Sequence, residues 1–132
     1  MSFKEIHIKT TNRTEMIEIT GVIDKFVRDS MGNGIVVVCS PHTTAGITIN
    51  ENADPSVKSD MIKTLNKLIP YRDSYTHLEG NSDAHIKTTL TGLSVTIPVI
   101  NGKMILGTWQ GVFFCEYDGP RNRKFNIKSI DG

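Results

Sequence analysis

Only two cysteines occur in the 132 residues, and both sit inside apolar runs, Cys39 in GIVVVCS and Cys115 in GVFFCEY. Two such residues far apart make neither a disulfide framework nor a CxxC redox pair, and they read as small buried hydrophobes. Net charge is nearly absent as well, since 15 Lys and Arg against 14 Asp and Glu leave +1. No global field therefore advertises nucleic acid or an anionic membrane as a partner. No run approaches the roughly 20 apolar residues of a spanning helix. The N-terminal MSFKEIHIKT lacks the apolar stretch of a signal peptide. The expectation is a cytoplasmic protein. Also missing are a Gly-rich phosphate loop, a dinucleotide fingerprint and a GxSxG elbow, which removes the common nucleotide, redox and hydrolase readings.

What is present reads as one domain over residues 1–132, with no linker, repeat or low-complexity segment and enough chain for a real core. FKEIHIKT and TEMIEIT alternate apolar and polar residues, and TNR between them suits a hairpin turn. The period then changes. Val22, Ile23, Phe26, Val27 and Met31 share one helical stripe, with Thr20 as a candidate cap and MGNG as the stop. GIVVVCS is a continuous β-branched strand, and alternation returns in AGITIN. Asp54-Pro55 opens a helix whose apolar stripe is Val57, Met61, Ile62, Leu65, Leu68 and Ile69. YRDSYTHLEGNSD is a long loop, and AHIKTTLTG a short helix capped by Asp83 and closed by Gly92. LSVTIPVI, a tight NG turn, a long strand MILGTWQGVFFCEYD and RKFNIKSI complete the order ββαββααβββ. The fold class expected is α+β, a large mixed but mostly antiparallel sheet with two to three helices.

His42, His77 and His85 lie at the ends of segments, each beside acids: Glu51 and Asp54, Glu79, and Asp83 respectively. A divalent cation needs a few such ligands converging from different segments. The alternative is capping and loop hydrogen bonding. His7 falls on the polar face of a strand and reads as solvated surface. In an extended 42–50, His42, Thr44, Thr48 and Asn50 point one way, towards water, a polar cavity or a subunit contact. Arg121 and Arg123 flank a Gly-Pro turn and could grip a phosphate or merely decorate a hairpin. Gln110 lies in an otherwise apolar strand and needs a hydrogen-bond partner.

HTTAGITINENADPSV, THLEGNSDAHIKTTLTGLSVTIPV and GTWQGVFFCEYDGPRNRK resemble the signature blocks of the YjbQ family, over essentially the whole chain. That family is also catalogued as uncharacterised and as a secondary thiamine-phosphate synthase. The resemblance implies a compact α+β protein assembling as a homotrimer, with the polar blocks lining a pocket. The matching positions are His42, Glu51, Asn52, Asp54, His77, Glu79, His85, Lys87, Gln110, Glu116, Arg121 and Arg123. The implied reaction joins a hydroxymethylpyrimidine pyrophosphate to a thiazole phosphate and releases pyrophosphate. It is read as a side activity, with a different primary substrate.

The expectation is a metal-assisted enzyme acting on a small phosphorylated metabolite. A divalent metal, Zn or Mg, would be held by His42, His77 and His85. Glu51, Asp54 and His85 would act as acid or base groups. Thr44, Asn52, Lys87, Gln110, Arg121 and Arg123 would bind substrate or phosphate. Two other readings stand beside it: a non-catalytic module holding a metal or phosphometabolite, and a trimer whose polar blocks only stitch subunits together.

Overall fold

The computed structural model describes residues 2–132, and its elements follow the order ββαββααββββ. The strands are β1 (Phe3–Lys9), β2 (Glu15–Glu18), β3 (Gly34–Cys39), β4 (Ala45–Glu51), β5 (Ser94–Ile100), β6 (Lys103–Met104), β7 (Gln110–Glu116) and β8 (Asn122–Asp131). The helices are α1 (Thr20–Ser30), α2 (Pro55–Leu68) and α3 (Ser82–Thr91). The α+β class holds. The strands divide over two sheets, β1-β8-β3-β5-β6 and β2-β7-β4, and every neighbouring pair is antiparallel.

The division follows from which faces must be dry. The apolar face of α1 (Ile23, Phe26, Val27) meets Val36 and Val38 of β3, Ile97 and Val99 of β5, and Phe125 and Ile127 of β8. The inner face of the small sheet, Ala45, Ile47, Val112 and Phe114, closes the same core. Each fully buried side chain of this size contributes about 1.5–3 kcal/mol, so this core carries the fold. A second cluster lies on the other face of the small sheet, where Met16, Phe113, Cys115 and Tyr117 meet Ala84 of α3 and half-buried Met61, Ile62 and Leu65 of α2.

Several local expectations give way to tertiary pairing. β1 and β2 form no hairpin, because β1 pairs with β8 and β2 with β7, in different sheets. Thr20 is the first helical residue rather than the cap, and its hydroxyl accepts from Val112 N at 2.8 Å. The long strand ends at Met104, and residues 105–109 turn before β7 begins. Gly107 N donates to Gln110 Oε1 at 2.7 Å and Gln110 N to Gly107 O at 3.1 Å, so the polar side chain closes that turn. The NG turn forms between β5 and β6, with Asn101 and Gly102 both at positive φ. α2 starts at Pro55 as expected, with Asp54 accepting from Ser56 N at 2.9 Å.

Candidate functional site

The register of β4 on β7 decides where the chemistry lies. Ala45 pairs with Glu116 at one end and Glu51 with Gln110 at the other. Six residue steps separate those ends, roughly 20 Å at the rise of a strand. The sequence-derived candidates fall into two groups at opposite ends of the small sheet.

At the Glu116 end, a buried ion pair organises the backbone. Arg123 Nε donates to Glu116 Oε1 at 2.8 Å and Nη2 to Oε2 at 2.5 Å. The same Nη2 reaches Thr44 Oγ1 at 2.8 Å, and Thr10 Oγ1 donates to Glu116 at 2.7 Å. Burial opposes the charge on Glu116, yet hydrogen bonds from Arg123, Asp118 N and Thr10 outweigh it and hold the carboxyl below its ordinary range. His42 joins this end through Nε2, which accepts from Lys124 N at 3.0 Å. Burial first, and the Arg123 charge second, push its pKa down, so the ring is neutral with its proton on Nδ1.

Next to this pair lies a second charged network around α3. Asp83 is fully buried and accepts two hydrogen bonds at 3.1 Å from Arg13, plus one at 3.0 Å from Lys87. It sits inside the first turn of α3, so the expected cap is instead an internal counter-ion; the helix begins after Asn81. Lys87 is buried, and its ammonium also donates to Asn66 Oδ1 at 2.8 Å. Burial opposes the Asp83 charge, but Arg13 and Lys87 outweigh it and keep the carboxyl ionised. Arg13 also stacks on Tyr71 at 3.4 Å. Nothing in the hairpin-like TNR segment signals that role, since Arg13 and Asp83 are distant in sequence.

The solvent side of this end carries the unspent groups. His77 and His85 stand edge to face, with ring centroids 5.5 Å apart and an interplanar angle of 86°. Among the described residues neither imidazole makes a hydrogen bond or ion pair, and neither contacts His42. Arg121, partly exposed, holds Asp118 at 2.9 Å and lies 3.6 Å from Glu79 on the His77 loop. Asn81 donates to both Glu79 and Asp118, at 2.8 and 2.7 Å, and ties the loop to the turn that follows β7.

At the opposite end, Glu51, Asn52 and Asp54 line a small cavity of about 100 Å³ with Glu18 and Lys58. Asn52 Nδ2 donates to Glu18 Oε2 at 2.9 Å. A Cβ on Gly111 would lie 2.6 Å from Glu18 Oε2 and 2.8 Å from Asn52 Nδ2, so a larger residue there must displace these two side chains. Glu51 accepts from Asp54 N at 3.3 Å, and Gln110 is committed to its turn. His7 is 80% exposed beside Glu5, as its strand face implied. Cys115 is buried in apolar surroundings that push its thiol up to about 12, so it is no nucleophile at neutral pH. Among the described residues no group of three or more His, Cys, Asp or Glu side chains is placed to hold a metal ion, and no helix is long and apolar enough to cross a membrane.

Two antiparallel sheets enclosing one helix, with two further helices on the small sheet and a cluster of charged residues at its end, define an α+β class of small polar-site proteins. The sequence profile described as UPF0047 protein YjbQ-like matches residues 4–132. The chain belongs to this family, as the sequence blocks implied. It is 57% identical over 131 residues to a UPF0047 protein of Methanocaldococcus jannaschii, covering 98% of this chain and 94% of that one. It is 49% identical over 129 residues to the UPF0047 protein YugU of Bacillus subtilis, covering 96% and 98%. A crystal structure of an uncharacterised YjbQ/UPF0047 protein from Clostridium acetobutylicum superposes with a TM-score of 0.95 at 52% identity, covering 96% and 99%.

Proposed function

We propose that the chain is a metal-assisted enzyme acting on a small phosphorylated metabolite, with its site at the His77–His85 end of the small sheet. The observation that carries this reading is the pair of unbonded imidazoles at 5.5 Å. Zinc takes imidazole nitrogens as ligands, so His77 and His85 are the residues that would hold such a cation. A bound divalent cation supplies Lewis acidity towards a phosphoryl oxygen. Arg121 is the phosphate anchor in this reading, since its guanidinium, though paired with Asp118, is partly exposed, whereas Lys87 and Arg123 are buried on Asp83 and Glu116. Glu79 orients Arg121 and Asn81 at the loop. His42 positions β8 through Lys124 N and is not a ligand in this reading.

Catalytic zinc takes three protein ligands, and one chain supplies two here. A closed homotrimer repeats one heterologous contact, which joins two different patches of neighbouring copies. In this reading Glu51 and Asp54 are acid and base groups that a neighbouring copy would contribute across that contact. Thiamine-phosphate synthesis is the side reaction of such a site and the primary substrate is a different phosphorylated metabolite.

The test is metal analysis of untagged protein after incubation with zinc, followed by turnover on a panel of phosphorylated metabolites. Zinc bound by the wild type and lost in both His77→Ala and His85→Ala is expected. Zero stoichiometry in the wild type defeats the reading, and binding without any turnover favours a non-catalytic module.

A further inference from the structure

The outer face of the small sheet holds a cavity of about 470 Å³ between β4, β7, α2 and α3, away from the imidazole pair. That volume is in the range of small-molecule sites. Its floor is Cys115, Tyr117 and Met16, and its walls are Met61 and Leu65 of α2 and Leu90 of α3. The protein does not fill it: no residue of α2 is fully buried, and Leu90 is 66% exposed. Of the four residues that alternation placed on one face, only Thr48 opens here, whereas Thr44 and His42 bond to Arg123 and Lys124 N and Asn50 is exposed to water.

The chemistry of the lining selects the occupant. Among the described residues no Lys, Arg or His lines the cavity, and Asp60 is its one charged side chain. Among the described residues the hydroxyls of Thr48 and Thr64 make no hydrogen bond, so both are open to a ligand. Thr91 and Tyr117 pair at 2.5 Å and are already partnered. Anions, phosphates included, lack any counter-charge in this lining.

We propose that this cavity is a binding site for a small cationic amphiphile, an aryl- or alkylamine whose apolar body packs against Met16, Met61 and Leu65. Its ammonium group faces Asp60, with the threonine hydroxyls as further partners. The site is independent of the reading given above, because it shares no residue with the imidazole pair or Arg121.

Methionine-methyl NMR tests it, because Met16 and Met61 line the cavity while Met31 and Met104 lie elsewhere. Phenethylamine, 2-phenylethanol and phenylacetate are titrated separately. Expected is saturable shifting of Met16 and Met61 alone, tighter for the amine than for the alcohol, with no response to phenylacetate. Asp60→Asn brings amine and alcohol within twofold of each other. Thr64→Trp, an exposed helical position, weakens the amine at least tenfold with unchanged circular dichroism. Leu90→Lys, a second variant, turns the preference towards phenylacetate. The proposal fails if phenylacetate binds as tightly as the amine to the wild type. It also fails if no ligand gives saturable shifts, or if Met16 and Met61 respond to protein concentration instead, since a second copy then fills the cavity.

Discussion

Arg123 and Glu116 show how a residue that looks like a phosphate ligand becomes architecture. Both are almost fully buried, and their charges compensate each other among Thr10, Thr44 and the Asp118 amide. Arg123→Met leaves a buried carboxylate uncompensated and is expected to cost about 3–5 kcal/mol in chemical denaturation. Arg123→Met with Glu116→Met costs less than the single change, because no lone charge is left behind. Acid acts on the same residues. His42, Glu116 and Asp83 all have folded-state pKa values below their unfolded ones, so the unfolded chain binds more protons. Their stabilisation is complete above the unfolded pKa values, about 6.5 for histidine and about 4 for carboxylates. It is lost as pH falls through the folded ones. Urea titrations from pH 8 to 4 therefore show stability declining first below about 6.5, and His42→Gln flattens that first step. A wild-type curve that is level from pH 8 to 5 contradicts this account.

Among the elements, α2 and the α3–β4 contact are governed by single positions. Asp54 accepts from Ser56 N, and that bond lowers its pKa. Asp54→Ala lowers the denaturation midpoint, whereas Asp54→Asn retains the cap and the midpoint. If Asp54→Asn also abolishes turnover, its charge has a role beyond capping. Gly46 sits against the end of α3, where a Cβ would lie 2.5 Å from the Gly92 carbonyl oxygen. Backbone cannot rotate aside, so Gly46→Ala must shift α3 and is expected to destabilise by about 1–3 kcal/mol, read from the same denaturation curves. Helix starts with a local chemical cause, such as Asp54-Pro55, were legible in the sequence. The cap assigned to Asp83 was not, because its partners Arg13 and Lys87 are chosen by packing.

For the whole molecule, the separation of candidates to two ends of one sheet is the main structural result. A zinc site on His77 and His85 has a simple thermodynamic signature. Free zinc at a hundredfold above its Kd raises stability by about 2.7 kcal/mol, seen as an upward Tm shift of several degrees. His77→Ala and His85→Ala each remove the shift. His42→Ala keeps it, since that imidazole is spent on Lys124 N. Loss of the shift in His42→Ala would place the ligand set elsewhere.

The sequence by itself determined the elements whose signals are local: alternating strands, the stripe of α1, the Asp-Pro start of α2 and the Asn-Gly turn. It also carried the family, because long ordered blocks survive without any knowledge of contacts. Only the tertiary structure decided which strands pair, since β1 and β2 read alike and still join different sheets. It likewise decided which polar residues are spent, burying Lys87, Arg123 and Asp83 in ion pairs while leaving His77 and His85 unbonded. The physical reason is the same in both cases. Pairing and charge compensation are long-range choices, made by whichever surfaces must leave water together.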